Sequence, residues 1–76
     1  MHKLDRIAIN PDMMNGQPCI RDMRLTVKRV LEALAVYSDW GELMAEYPGL
    51  EREDIRQALA LAAHSLDDEV IRLGAA

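Results

Sequence analysis

The twelve residues from Gly16 to Val27 (Gly-Gln-Pro-Cys-Ile-Arg-Asp-Met-Arg-Leu-Thr-Val) most constrain the fold. Gly16 and Pro18 disfavour a helix, and Ile20, Thr26 and Val27 add β-branched side chains that prefer an extended backbone. The stretch is too short to enclose a core of its own. Three segments with helical spacing follow it. The expected architecture is a β-like arm over residues 1–26 joined to a helical body over residues 27–76, in one domain.

Size sharpens that expectation. A 76-residue chain buries only about 60% of its unfolded surface, so it is marginal alone. Cys19 is the single cysteine, so no internal disulfide can staple the fold. Unstapled scaffolds of this size often gain stability by oligomerising or by binding a larger partner. A lone cysteine is consistent with a reducing compartment. No apolar run approaches the ~18 residues of a membrane span. The Met1–Arg6 start lacks the apolar stretch of a secretory signal. A cytoplasmic location is therefore the expectation.

The formal net charge is −4, unevenly spread. Residues 1–30 carry six cations and three anions (+3), and residues 31–76 carry three cations and ten anions (−7). Such asymmetry suits one face for an anionic partner and another for a basic one, or a surface on which the segregation vanishes in space.

Within the arm, Arg6-Ile7-Ala8-Ile9 predicts a short strand with Ile7 and Ile9 on one side. Asn10-Pro11-Asp12 ends it, Met13 and Met14 are expected to cap the core, and Asn15-Gly16 is a turn signal. Pro18-Cys19-Ile20 and Arg24-Leu25-Thr26-Val27 read as two extended pieces around a turn at Asp22-Met23, with Asp22 as its turn residue. A ribbon this short must pack on the helices or pair with a second ribbon.

Thr26 is the predicted N-cap of the first helix, whose apolar face is Val27, Val30, Leu31 and Leu34. Asp39, with Glu42 three residues on, opens the second, which carries Trp40, Leu43, Met44 and Tyr47 inward. Pro48-Gly49 stops it. The third starts near Glu51, with Leu50 and Ile55 as a hydrophobic staple and Ile55, Ala58, Leu59 and Ala62 as the buried stripe. Its alanines leave room for a close neighbour. A break at His64-Ser65 is predicted, then a short last helix with Leu66, Val70 and Leu73 inward and Gly74 as terminator. The sum is a mainly α, three-helix, helix-turn-helix-like core with Tyr47–Leu50 as its turn.

Two stretches resemble a known family. They are Ile9…Pro11…Gly16-x-Pro18-x-Ile20-Arg21-x-x-Arg24-Leu25-x-Val27 and Glu46-Tyr47-Pro48-x-Leu50-x-x-Glu53-Asp54-Ile55-x-x-Ala58-Leu59. Both are similar to the "domain of unknown function 433" family, across roughly residues 6–64. The resemblance implies a homeodomain-like helical fold with an N-terminal β arm. It also implies, from some relatives, a VapB-type antitoxin role paired with a PIN-like ribonuclease toxin. Asp22-Met23 stands where the family usually has Gly-Thr, and Glu51 where a Thr N-cap is usual.

Six cations are the candidate partner-binding residues: Arg21, Arg24, Lys28, Arg29, Arg52 and Arg56. Arg21 and Arg24 on a rigid arm suit phosphates or a partner's carboxylates. Equally, they suit an internal clamp on the acidic helix ends near Glu46, Glu53 or Asp54. Lys28 and Arg29 extend a basic patch that is either solvated or bound to nucleic acid. Arg52 and Arg56 lie one turn apart on the third helix, where DNA readout needs them, but Glu51, Glu53 and Asp54 surround them and repel phosphate. An acidic third helix better suits a basic protein partner.

His2 and His64 have no evident third metal ligand. Cys19, beside Pro18, is expected to be a buried inert thiol, since no positioned base accompanies it. Trp40 and Tyr47 fall on the apolar stripe and are expected in the core. No cofactor or catalytic group is expected. The leading expectation is a non-enzymatic, antitoxin-like homodimer joined through its arm, which binds a toxin and its operator DNA. A stand-alone DNA-binding regulator is the alternative.

Overall fold

The computed structural model describes residues 4–67. Its elements are β1 (Ile7–Ile9), one 3-10 turn (Met14–Gly16), β2 (Pro18–Ile20), α1 (Val27–Val36), α2 (Trp40–Glu46) and α3 (Arg52–Asp67). The fold is thus mainly helical, with a small N-terminal antiparallel ribbon.

The ribbon differs from the expected one. β1 pairs with β2, with Ile7 opposite Ile20, Ala8 opposite Cys19 and Ile9 opposite Pro18. The Arg24–Val27 piece joins only through a bridge between Cys19 and Thr26. Three residues in a row reverse the connecting loop in left-handed backbone: Met14, Asn15 and Gly16 at φ 53°, 59° and 77°. The Asn-Gly signal therefore marks the turn, but Met14 is 41% exposed and does not cap the core. Met23 packs there instead.

The second turn is also a correction. Asp22 is not its left-handed residue; Arg21 and Arg24 are, at φ 44° and 57°. The cause is the pairing on either side. The Ile20 N–H donates to the Leu25 carbonyl at 2.8 Å, and the Met23 N–H donates to the Ile20 carbonyl at 2.9 Å. Closing the chain between two buried apolar residues, Ile20 and Leu25, places the reversal at the arginines. Each non-glycine residue there costs about 1–2 kcal/mol, which the side-chain bonds of Arg21 described below offset.

Helix starts follow local chemistry. The Thr26 hydroxyl accepts from the Arg29 N–H at 3.0 Å, and the Asp39 carboxylate accepts from the Gly41 N–H at 2.8 Å, each satisfying an otherwise orphaned donor. Between α2 and α3, Gly49 takes φ 95°, a conformation open to glycine and strained for other residues. Val27, Val30 and Ala33 of α1, Leu43 of α2, Leu50, and Ile55 and Ala58 of α3 meet Ile20 and Leu25 in one core. Trp40 and Tyr47 pack against it, half-buried. The arm needs no second ribbon to be held: it lies on its own helices.

In α3 two expectations fail. No break occurs at His64-Ser65, and the helix runs unbroken to Asp67. Serine costs a helix interior only a few tenths of a kcal/mol, and no Gly or Pro stands there to stop it. The buried side is also turned: Leu59 is 40% exposed, while Asp54 and Gln57 are buried with Ile55 and Ala58. Polar contacts to the arm draw Asp54 and Gln57 inward. Leu66, expected inward, is 54% exposed. The remainder of the predicted last helix, with Val70, Leu73 and Gly74, lies outside the described residues.

Candidate functional site

Charge converges where the arm meets the first turn of α3. Asp54 is the third residue of that helix and is fully buried. A carboxylate there can accept from the backbone just before the helix, and the Glu51 N–H donates to Asp54 Oδ2 at 2.8 Å. This is half of a capping box, supplied from inside the helix. It also accounts for a third helix that starts without a Thr cap at position 51.

Two arginines complete the shell. Arg21 makes a bidentate pair, Nε to Asp54 Oδ1 at 3.1 Å and Nη2 to Asp54 Oδ2 at 2.6 Å. The same Nη2 donates to the Gly49 carbonyl at 2.7 Å. Arg6 donates to Asp54 Oδ1 at 3.3 Å and to the Glu51 carboxylate. Arg21 therefore ties the end of β2, the α2–α3 link and the start of α3 together. The fork geometry of guanidinium makes this attachment directional, which an ammonium would not.

A neighbouring amide extends the attachment. Gln57 accepts from the Arg6 backbone N–H at 2.8 Å and donates to Asp5 and Glu53, each at 2.9 Å. Arg56 holds Glu53 bidentately at 2.9 and 2.8 Å. Among the described residues no buried side-chain polar atom lacks a partner. A buried charge is tolerable only under that condition.

Ionisation follows from these contacts. Burial opposes the charge on Asp54, but the bonds from Arg21, the Glu51 N–H and Arg6 outweigh it and hold its pKa below the usual carboxylate value. Arg56, then Gln57, hold Glu53 down at about 2. Arg6 and Arg21 are raised by their bonds to Glu51 and Asp54 respectively.

The six candidate cations divide. Arg21 serves the internal clamp, on Asp54. Arg56 is paired with Glu53, and Lys28 with Glu32 at 3.5 Å along α1. The Arg52 guanidinium lies 5.6 Å from the centre of the Trp40 ring, a cation–π distance. Arg24 and Arg29, near the start of α1, are exposed and make no ion pair among the described residues. His64 is exposed, His2 lies outside the described residues, and Cys19 is buried. The roles of Arg6 and Gln57 carried no sequence signal beyond their polarity.

Apolar surface is left open elsewhere. Ile9, Val36, Leu59 and Leu66 are 67%, 77%, 40% and 54% exposed. A cavity of about 360 Å³ lies between α1 and the last turns of α3, walled by Pro18, Val27, Leu31, Leu61 and Leu66, with Lys28 at its rim. The outer edge of β1 pairs with nothing among the described residues. No helix among them is long and apolar enough to cross a membrane.

The family profile described as "Protein of unknown function (DUF433)" matches residues 7–62 of the 76. The chain belongs to this family. The two stretches that carry the DUF433 resemblance meet in space, since Arg21 of the first grips Asp54 of the second. Comparisons with curated proteins and with solved structures find no match.

Proposed function

We propose that this DUF433 chain is a non-enzymatic binding module that docks on another protein, in the manner of an antitoxin on a PIN-like ribonuclease. One contrast carries the reading. Most candidate cations are engaged within the chain, while Ile9, Val36, Leu59 and Leu66 stay open to solvent. Exposed apolar side chains favour a protein partner, and paired arginines are poor ligands for phosphate.

The arm offers the docking edge. With the Arg21 N–H donating to the Arg6 carbonyl at 2.8 Å, antiparallel alternation turns the polar groups of Ala8 toward β2 and those of Ile9 outward. A partner strand can add to that edge, with Ile9 as its apolar contact. A cytoplasmic partner goes with this reading.

The helix-turn-helix reading, a stand-alone DNA regulator built on α2, the Tyr47–Leu50 turn and α3, draws support from Arg24 and Arg29 alone. Co-expression with the product of the adjacent gene tests the proposal. A stable complex that inhibits a nuclease, and that weakens at least tenfold in Ile9→Lys, is the expected outcome. Failure of any neighbouring product to co-purify, together with tight salt-dependent duplex binding, would favour the DNA regulator.

A further inference from the structure

The loop that joins β1 to β2 is closed under strain. Met14, Asn15 and Gly16 all take positive φ, at 53°, 59° and 77°. Glycine and asparagine enter that region at low cost, but the Met14 Cβ crowds its own backbone there. The core does not hold the loop in this shape. Pro11, Asp12, Met14, Asn15 and Gln17 are exposed, and no residue from 10 to 17 packs on the core. Its closing bonds are backbone turns. The Met13 N–H donates to the Asn10 carbonyl, the Gly16 N–H to the Met13 carbonyl and the Gln17 N–H to the Met14 carbonyl, at 2.9, 2.9 and 3.1 Å. Water can replace bonds so exposed.

The two prolines favour a straighter path. Pro11 and Pro18 bias Asn10 and Gln17 toward extended backbone, and Gln17 is already there, at φ −72° and ψ 149°. Fully extended, residues 10–17 span about 27 Å.

The strand before the loop is attached by contacts that can be remade elsewhere. Arg6 holds Asp54 and Glu51, and Gln57 accepts from the Arg6 N–H. Ile7 is half-buried against the core. The strand after the loop is fixed, with Cys19 and Ile20 only 1% and 0% exposed.

We propose that β1 is exchanged between two copies of this chain. The loop opens, and each β1 pairs with β2 of the partner subunit. Each Arg6 then holds Asp54 of the partner subunit, and Gln57 of the partner subunit accepts from its N–H. Every contact of the closed arm is regained in both chains, and only the hinge changes. Short hinges under strain favour such an exchange. The closed chain keeps Met14 left-handed, and the open hinge releases it. Exchange leaves the outer edge of β1 free to dock a partner strand. The inference stands whether or not that partner is a toxin.

Sedimentation equilibrium of the full chain, refolded from denaturant at micromolar to millimolar concentration, should show a dimer. Met14→Gly relieves the closed loop and should weaken the dimer at least tenfold. Ala8 lies directly opposite Cys19, and bonded pairs of this kind sit within disulfide reach, at about 5.5 Å between Cα atoms. Ala8→Cys therefore reports which chain supplies β1. After oxidation, its dimer fraction should run as a covalent dimer on a non-reducing gel. With Met14→Gly added, the same cysteines should close within one chain. A monomer at every concentration would overturn the proposal, as would a dimer whose bond closes only within chains. A dimer untouched by Met14→Gly would overturn it too, because the hinge would not be its cause. Cross-linking of Ala8→Cys chains that persists with Cys19→Ala would place the contact at the outer edge of β1 and overturn the exchange.

Discussion

Replacing Asp54 by asparagine keeps the shape of the side chain and removes its charge. Each carboxylate oxygen accepts two bonds: Oδ2 from Arg21 Nη2 and the Glu51 N–H, Oδ1 from Arg21 Nε and Arg6. An amide must turn its NH₂ toward one of these pairs and loses both of its bonds. At least one lost bond in either orientation involves a guanidinium. Bonds to charged groups contribute about 1.5–3 kcal/mol and neutral ones about 1 kcal/mol, so Asp54→Asn should cost about 3 kcal/mol. Arg6 and Arg21, at 31% and 35% side-chain exposure, can still reach water, which keeps the cost below that of a fully buried orphan charge. A chain of this length has about 4–11 kcal/mol of total stability. The melting temperature should fall by roughly 12–24 °C, measured by circular dichroism at neutral pH with exposed Arg29→Ala as the control. A fall within about 4 °C of wild type would refute the reasoning, because the arm would then be held by something other than Asp54.

Four other outcomes follow. Arg21→Lys should lose about 1–2 kcal/mol in the same melts, since an ammonium cannot span both Asp54 oxygens and the Gly49 carbonyl. Gly49→Ala should cost about 1 kcal/mol through its positive φ alone, because an added methyl would meet only the end of Met23, at 3.7 Å. Thr26→Ala should cost about 0.5–2 kcal/mol through loss of the α1 cap. Acid should destabilise: Asp54 and Glu53 have folded pKa values below their unfolded ones. The stability they contribute is present above the unfolded values near pH 4 and is lost as pH falls through the folded ones, about 2 for Glu53. Melts from pH 6 to 2 should be level above about pH 5 and fall below about 4, with a shallower fall in Asp54→Asn.

What the sequence made legible was local. Thr26, Asp39, Asn15-Gly16 and Pro48-Gly49 each act within a few residues of themselves, and each does so in the structure. The clamp was legible only as a choice of acids, because Arg21 and Asp54 are 33 residues apart and topology alone selects one. The left-handed positions at Arg21 and Arg24 came from the Ile20–Leu25 pairing, and neither residue type signals that conformation. Leu59 and Leu66 fit a helical stripe by spacing. Yet Asp54 and Gln57, whose partners sit on the arm, share the buried side of α3 with Ile55 and Ala58, so Leu59 and Leu66 are left exposed.

The account holds that these arginines fasten the chain together rather than grip phosphate. Duplex binding measured against salt tests that most directly. Only Arg24 and Arg29 lack an intrachain partner among the described residues, so log K should fall with log salt at a slope no steeper than about −2 per chain, with weak affinity. A slope near −5 per chain, with tight binding at physiological salt, would require all six cations on phosphate. Arg21 and Arg56 would then have to leave Asp54 and Glu53, and the account would be contradicted.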